Sequence, residues 1–166
     1  MAPEVMDSAQ FAWLQDHLWI LSGLYGCVRP FHAVEPYRLE MGAKLAVDDA
    51  RDLYAFWSDK LARAIAPAGS NTTIVNLASV EYAKAVLPHL ADDATAVTCL
   101  FGEGIRNGKP IQRSTASKKA RGSMVRWMAE NKLEDASELT AFNIGYRHIP
   151  ELSDKNTLVF MNAQAQ

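Results

Sequence analysis

The stretch Thr72-Thr73-Ile74-Val75-Asn76-Leu77 decides the fold. It is short, apolar and rich in β-branched residues, which is typical of a strand buried in a sheet. Ser79 then opens a predicted helix that runs to about Leu87. Because a strand followed directly by a helix is the repeating unit of α/β proteins, we expect strands and helices to alternate along the rest of the chain.

On the C-terminal side of this stretch, two further apolar runs predict strands over residues 96–101 and 157–161. Between them, the pair Asn107-Gly108 indicates a hairpin turn that leads into a partner strand over residues 109–114. Helical spacing of apolar residues predicts helices over residues 117–132 and 135–142.

On the N-terminal side, Asp7 and Ser8 are candidate N-caps of a helix that continues to Leu21. An extended or looped stretch over residues 31–42 follows, because Pro36 biases the residue before it away from helix. A short strand over 43–47 and a helix capped by Asp48 and Asp49 complete this half.

The fold class predicted from this alternation is mixed α/β (α+β), with a mixed β-sheet flanked by helices. A length of 166 residues and a hydrophobic share of 49% suit a single domain over 1–166 with its own core. No run approaches the roughly 18 to 20 apolar residues that span a bilayer. The first residues also lack the basic and then apolar order of a secretory signal, so a cytosolic protein is expected.

The cysteines and histidines give no sign of a metal site or a cofactor. Cys27 and Cys99 are far apart and have apolar neighbours, so buried thiols are predicted instead of a disulfide. The histidines show no pairwise metal spacing, and no cluster of His, Cys and carboxylates suggests a metal site.

Positive charge is concentrated in one segment, residues 104–132. It contains eight lysines and arginines and a single acid, Glu130, so its charge is +7 in a chain whose net charge is −2. Because the field at a surface follows local charge, this segment predicts a phosphate-rich partner. A solvated helix face of ordinary lysines is the alternative explanation.

On a helix over residues 117–132, Lys118, Lys119 and Arg126 share one side, and Gly122 lies between them. A glycine in this position is expected to let a bulky anion approach the backbone. Lys118 and Lys119 also fall in the first predicted turn, where the helix dipole disfavours cations unless a bound anion restores the balance. Arg121 borders the apolar side and is expected to reach inward to a carboxylate or a ligand.

The residues Lys118-Lys119-Ala120-Arg121-Gly122, followed by Met124 and Arg126, resemble the C-terminal motif of the bacterial YaaA family of peroxide-stress proteins. Ser117 stands where that motif is expected to have alanine. Further blocks resemble the same family in the same order, over residues 21–30 with 35–42, 52–59 and 76–82.

The resemblance implies a cytoplasmic bacterial protein of mixed α/β fold that protects cells from hydrogen peroxide by limiting unincorporated iron. Members of the family are also described as binding duplex DNA through a positively charged cleft, aided by a helix-hairpin-helix element. They carry an additional N-terminal segment with a Ser-Pro-Ala-Lys motif. This chain is therefore expected to be an N-terminally shortened YaaA-like fold, arising as a fragment, from a misplaced start or as a short homologue.

Other polar residues in the matching blocks are candidates for a catalytic or binding site. Arg29, Arg38 and Glu40 suggest a pocket in which an arginine holds a phosphate or carboxylate, with a structural ion pair as the alternative. Asn76 and Ser79 lie at the end of a predicted buried strand, where α/β sheets often bind ligands. Ser79 is alternatively the N-cap of the following helix.

Tyrosines accompany these motifs. Tyr25, Tyr37, Tyr54 and Tyr82 are able to stack on nucleobases, but packing in a core with a tethered hydroxyl is the expected role for most of them.

The leading hypothesis is a DNA-binding protein of the oxidative-stress response that is non-enzymatic or not demonstrably enzymatic. Its predicted contacts to backbone phosphates come from Arg29, Arg113, Lys118, Lys119, Arg121, Gly122 and Arg126. A rival hypothesis is an enzyme that processes a nucleotide or nucleobase in one cleft formed by Arg38, Glu40, Asn76, Ser79 and Lys118. An inactive truncated domain is the third alternative.

Overall fold

The computed structural model describes residues 1–164 and has two compact units. The terminal unit comprises Met1–Trp13, Val75–Leu77 and the chain from Val97 onward. The middle unit comprises Leu14–Ile74 and Ala78–Ala96.

The strands are β1 (Ile20–Ser22), β2 (Gly26–Val28), β3 (Thr73–Asn76), β4 (Thr95–Gly102), β5 (Ile105–Arg106), β6 (Lys109–Pro110), β7 (Tyr146–His148) and β8 (Thr157–Asn162). The α-helices are α1 (Ser8–His17), α2 (Leu53–Trp57), α3 (Lys60–Ile65), α4 (Val80–Ala83) and α5 (Ser114–Glu130). Short 3-10 helices lie at Pro3–Val5, Leu87–His89, Ala136–Ala141 and Pro150–Leu152.

The main sheet has the strand order β3-β4-β8-β7. Strands β4 and β8 run parallel, from Thr98 opposite Thr157 to Gly102 opposite Met161. Strand β7 is antiparallel to β8. The sheet is thus mixed, with helices flanking it, and the predicted fold class is confirmed.

Aromatic rings form the centre of the terminal unit. Phe101 and Phe160 are stacked at 5.5 Å between ring centroids, and Phe142 meets both of them edge to face. All three rings are fully buried. Helix α5 joins this core through Met124, which is 0% exposed, and Trp127, whose ring contacts Phe142 at 5.7 Å. The apolar side of α5 is therefore fixed against the core.

The middle unit has a smaller core of its own. Its buried residues are Met41, Leu53, Leu61, Ala62, Ala85 and Val86. The β1–β2 hairpin packs beside them, and the indole N–H of Trp57 donates a 3.1 Å hydrogen bond to the Gly23 carbonyl oxygen. Gly26 has a φ of +75°, and a Cβ placed there would lie 2.7 Å from the Trp57 ring. Glycine is needed here for both its conformation and its lack of a side chain.

Several predicted boundaries in the N-terminal half are wrong. The first helix does not reach Leu21, because the chain turns at Gly23 to Gly26 and residues 20–22 pair with residues 26–28 as strands. No strand occupies residues 43–47, where an isolated bridge joins Val47 and Ala50. The cap of the next helix is Asp52, whose carboxylate accepts a 2.8 Å hydrogen bond from the Ala55 N–H.

The hairpin at Asn107-Gly108 is confirmed, but its second strand ends at Pro110 and not at Ser114. The difference arises because Ser114 is already the first residue of α5. Lys118 and Lys119 consequently lie beyond the first turn of the helix, and the prediction that they oppose the helix dipole there is wrong. The segment predicted as a helix near residues 135–142 is a 3-10 helix capped by Asp135.

Both cysteines are free thiols, and the prediction that they are buried holds for Cys99 but not for Cys27, which is half-buried. Cys99 is buried, which raises its pKa to about 12, and burial also raises the pKa of the half-buried Cys27. Both groups are protonated near neutral pH. Separately, no helix among residues 1–164 is long and apolar enough to cross a bilayer.

Candidate functional site

Helix α5 carries exposed cations on the side away from the core. Ser117, Ala120, Met124 and Ala129 are its buried residues, whereas Lys118 and Lys119 are exposed. Neither lysine forms an ion pair within the described part of the chain. The two adjacent charges are thus left to solvent or to an anionic partner.

A cleft of ≈ 470 Å³ lies at the N-terminal end of α5. It is lined by Arg113, Ser114, Thr115, Ala116 and Lys119. Arg113 occupies the N-cap position, and its side chain makes no capping hydrogen bond to the helix. The first amide groups of a helix carry partial positive charge, and this cleft adds two cations and two hydroxyl groups to them. Such a set of donors suits a phosphate oxygen.

This cleft brings together only part of the predicted phosphate site. Arg113 and Lys119 were predicted from charge. The hydroxyl groups of Ser114 and Thr115 were missed, although a Ser-Thr pair before a run of helical residues is a helix-start signal that sequence reasoning can use.

A carboxylate network lies beside Arg113. The Tyr146 hydroxyl donates a 2.5 Å hydrogen bond to the Glu103 carboxylate, and the Asn162 amide donates another of 2.8 Å. These hydrogen bonds, together with the positive charge of Arg113, hold the pKa of Glu103 below its usual range. Glu103 therefore stays ionised near neutral pH and is already bound to partners within its own unit.

Arg121 points inward, as the helical position predicted. Burial lowers the pKa of its guanidinium, and its Nε is buried without a hydrogen-bond partner among residues 1–164. The expected carboxylate partner is therefore not found in the described residues. An unpaired buried N–H destabilises the folded state.

The space beside Gly122 is occupied. A Cβ placed on Gly122 would lie 3.2 Å from the backbone nitrogen of Met1. Next to it on the helix, Arg126 Nε donates to Glu130 Oε1 at 2.6 Å, an ion pair that partly balances its charge. Among the cations of α5, Lys118 and Lys119 are therefore the more available to a ligand.

Ser117 replaces the alanine expected from the motif, and its hydroxyl has an internal role. The side chain is 3% exposed and donates a 3.4 Å hydrogen bond to the Phe101 carbonyl oxygen of β4. The extra hydroxyl is accommodated because this acceptor lies next to it.

In the middle unit, Arg29 has structural partners. Its guanidinium lies 3.6 Å from the centre of the Trp19 ring and donates a 2.9 Å hydrogen bond to the Asp16 carbonyl oxygen. The first contact is a cation–π interaction, and the second satisfies a carbonyl near the C-terminal end of α1. Its predicted contact with phosphate stays a prediction.

Arg38 and Glu40 are exposed and lie on the stretch over residues 31–42, which has no regular secondary structure, as predicted. No ion pair joins them, so the structural ion pair considered for these residues is not formed within the described chain. The backbone that carries them is fixed from both sides. The Glu35 N–H donates to the Tyr25 hydroxyl at 2.9 Å, and the Gly42 N–H donates to a Glu81 carboxylate oxygen at 2.7 Å.

The tyrosine hydroxyls serve as tethers, as expected. The Tyr37 hydroxyl is hydrogen-bonded to Ser22 Oγ, and its ring packs edge to face on Tyr25. The Tyr54 hydroxyl donates to the Glu81 carbonyl oxygen at 3.1 Å. These rings hold the irregular stretch against the rest of the middle unit.

Asn76 and Ser79 lie in different units. Asn76 is 8% exposed and its amide donates a 3.1 Å hydrogen bond to Thr98 Oγ1 on the neighbouring strand. Ser79 occupies the N-cap position of α4 but makes no capping hydrogen bond with its side chain. Of the residues proposed for an enzyme cleft, Arg38, Glu40 and Ser79 belong to the middle unit, and Asn76 and Lys118 to the terminal unit.

The chain is similar to known proteins over most of its length. A family model described as peroxide stress protein YaaA matches residues 1–152. A UPF0246 protein of Desulfitobacterium hafniense (strain Y51) is 45% identical over 167 residues, which cover 100% of this chain and 65% of the relative. A UPF0246 protein of Pediococcus pentosaceus is 46% identical over 97% of this chain and 63% of its own length.

A third relative, from Lachnoclostridium phytofermentans, is 42% identical over 99% of this chain and 64% of the relative. The chain thus spans just under two thirds of the length of these curated relatives. The family model covers most of the chain, and the match agrees with the four motif blocks and the mixed α/β fold. The chain therefore belongs to the YaaA family of peroxide stress proteins.

Proposed function

We propose that this chain binds duplex DNA through the terminal unit and thereby helps to limit oxidative damage under peroxide stress. The observation that carries the proposal is the pair of exposed, unpaired cations Lys118 and Lys119, which lie on one helix with the cleft that contains Arg113. Family membership supports the connection to peroxide stress.

The contacts fit a phosphate backbone better than a single small ligand. Lys118 and Lys119 are exposed on a helix whose opposite side is buried, and the cleft adjoining them is lined by Arg113 and Lys119. Lysine and arginine contacts to successive phosphates supply affinity without reading sequence. The proposed binding is therefore independent of sequence. We infer that any influence on free iron follows indirectly from this role.

The test is the salt dependence of binding to a short, fluorescently labelled duplex, followed by anisotropy. The Lys118→Ala/Lys119→Ala variant should bind more weakly, and the slope of log affinity against log salt should become shallower by about 0.9 for each lost phosphate contact. The matched control is Lys44→Ala/Lys155→Ala, which removes two exposed lysine charges elsewhere. An affinity that is independent of salt, or equal in both variants, contradicts the proposal.

A second candidate function is the processing of a nucleotide or nucleobase. The observation that favours it is the exposure of Arg38 and Glu40, without an ion pair between them, on a backbone fixed by hydrogen bonds. An arginine held in this way can anchor a phosphate, and a nearby carboxylate can accept a proton. Turnover of a nucleotide by the wild type that Glu40→Gln abolishes would support this function, and equal turnover by both would contradict it.

A further inference from the structure

The β5–β6 hairpin places two positive charges directly opposite each other. In its register Arg106 faces Lys109, and Ile105 faces Pro110. Both cations are exposed. Residues that face each other across an antiparallel pair lie on the same side of the ribbon, and like charges in that position repel. The repulsion between these two cations therefore destabilises the hairpin when no anionic partner is bound.

The hairpin backbone is fixed, so the two side chains remain on the same face. Asn107 and Gly108 have φ values of +51° and +72°, which suit the tight turn of a two-residue hairpin. Beyond the named strands, the Glu103 N–H donates to the Ile111 carbonyl oxygen at 2.8 Å, and the Ile111 N–H donates to the Gly104 carbonyl oxygen at 2.7 Å. The ribbon therefore extends from Glu103 to Ile111.

The base of the ribbon is packed on the sheet. A Cβ placed at Gly102, the last residue of β4, would lie 2.8 Å from Pro110 Cβ, which shows how closely the second strand approaches it. The tip, in contrast, projects into solvent. Nothing lies within 4 Å of a Cβ placed at Gly108, and Ile105 is 57% exposed.

No acid in the hairpin balances Arg106 and Lys109. The acid at its base, Glu103, is held by the hydrogen bonds from Tyr146 and Asn162. The second strand then leads through Ile111 and Gln112 into Arg113, so the positive charges of the hairpin continue along the chain into the cleft at the start of α5. An anionic partner of the cleft is thus expected to meet the hairpin as well.

We propose that the β5–β6 hairpin enters the major groove of B-form duplex DNA, with Arg106 and Lys109 contacting neighbouring phosphates along one wall of the groove. This inference rests on the proposed DNA-binding function and adds an element outside α5. Size selects the groove, because the major groove is about 12 Å wide and admits a two-stranded ribbon, whereas the minor groove is only about 6 Å wide.

Groove width also predicts that the hairpin contributes less to the binding of an RNA duplex than to the binding of a DNA duplex. The major groove of A-form RNA is deep and narrow, and side chains do not reach into it. Exposed lysines on a helix face do not have to enter a groove, so they can contact the phosphates of either kind of duplex. The contribution of the hairpin to affinity should therefore depend on the form of the duplex.

The experiment compares wild type, Arg106→Ala/Lys109→Ala and the control Lys44→Ala/Lys155→Ala on a DNA duplex and on an RNA duplex of the same sequence. For DNA, the hairpin variant should bind at least about ten-fold more weakly than wild type at low salt, with a salt slope shallower by about 1.8. Its affinity for RNA should equal that of wild type. Circular dichroism of each variant checks the fold.

Each outcome decides the inference. Loss of DNA affinity with unchanged RNA affinity supports insertion into the groove. An equal loss on both duplexes overturns it, since the charges then act only from outside the groove. Unchanged DNA affinity, together with a loss in Lys118→Ala/Lys119→Ala, overturns the role of the hairpin and leaves the proposed function standing. A wild type without salt-dependent DNA binding overturns both proposals.

Discussion

Tyr146 and Glu103 are 43 positions apart in sequence, yet the Tyr146 hydroxyl donates a 2.5 Å hydrogen bond to the Glu103 carboxylate. The contact joins the first residue of β7 to the residue that follows β4. Burial and this hydrogen bond raise the pKa of Tyr146 to about 12, so the phenol remains a donor at neutral pH. The pair thus connects the edge strand of the sheet to the start of the hairpin.

Removal of the phenol hydroxyl should destabilise the terminal unit. We expect Tyr146→Phe to lower the free energy of unfolding by about 1 to 2 kcal/mol, because a partly buried carboxylate loses a charge-assisted hydrogen bond. Urea denaturation measures the change. In the control, Tyr146→Phe is introduced into a Glu103→Gln background, where the effect should be smaller. An equal effect in both backgrounds would show that the two side chains are not coupled.

Stability should depend on pH through Glu103. Its pKa in the folded protein lies below the ordinary value of 4.5, so the carboxylate contributes stability above that pH and loses the contribution as pH falls through the folded-state pKa. The difference in unfolding free energy between wild type and Glu103→Gln should therefore shrink as the pH falls from above 4.5 through the folded-state pKa. Denaturation at several pH values measures this difference, and a difference that grows toward low pH would contradict the assignment.

Gly26 should be far more sensitive to substitution than Gly69. Both have positive φ, +75° and +84°, but only the Cβ of an alanine at position 26 would collide with the Trp57 ring. We expect Gly69→Ala to cost about 1 kcal/mol from the backbone alone, and Gly26→Ala to cost roughly 2 to 4 kcal/mol because the clash adds to it. Thermal denaturation compares them, and equal losses would rule out the clash.

Arg121 is expected to lower the stability of the isolated chain. Its Nε is buried without a partner among residues 1–164, so Arg121→Met should raise the free energy of unfolding by about 1 kcal/mol. Arg126→Met is the matched control, since it breaks the ion pair with Glu130 and should be neutral or slightly destabilising. A clear loss of stability in Arg121→Met would mean that the guanidinium is satisfied in solution.

The cysteines should resist oxidation in the folded protein. The pKa of Cys99 is about 12 and that of Cys27 is also raised, so neither thiolate is populated at neutral pH. With a thiol-reactive reagent, we expect slow modification of the half-buried Cys27 and none of Cys99 until the protein unfolds. Mass spectrometry of tryptic peptides identifies the modified residue. Rapid oxidation of Cys99 by dilute peroxide would contradict this prediction.

Residues whose neighbours in sequence decide their structure were predictable. Strands β3, β4 and β8 are read from apolar runs because they lie in the main sheet, and the turn at Asn107-Gly108 follows from local conformational preference. The β1–β2 pair was missed because its glycines also signal the end of a helix. The pairing of Ser22 with Gly26 places this glycine in a hairpin, and the contact of that position with Trp57 is long-range and cannot be read from neighbouring residues.

The residues of the candidate site also fall into two groups, those that the sequence predicts and those whose contacts depend on tertiary structure. Lys118 and Lys119 were identified from charge and helical position alone, which also predicted that Arg121 points inward. The contacts of Glu103 were not predictable, since Tyr146 and Asn162 reach it only after the strands have paired. The occupation of the space beside Gly122 by Met1 likewise depends on tertiary structure.

The fixed backbone of residues 31–42 reduces the conformational entropy that is lost when a ligand binds there. This backbone forms no helix or strand, yet hydrogen bonds to Ser22, Tyr25 and Glu81 fix the stretch at separate points. The conformational entropy of this segment is therefore lost when the chain folds and not when a ligand arrives. A molecule that contacts Arg38 meets a preorganised backbone and needs to order only the arginine side chain, which increases the affinity obtained from each contact.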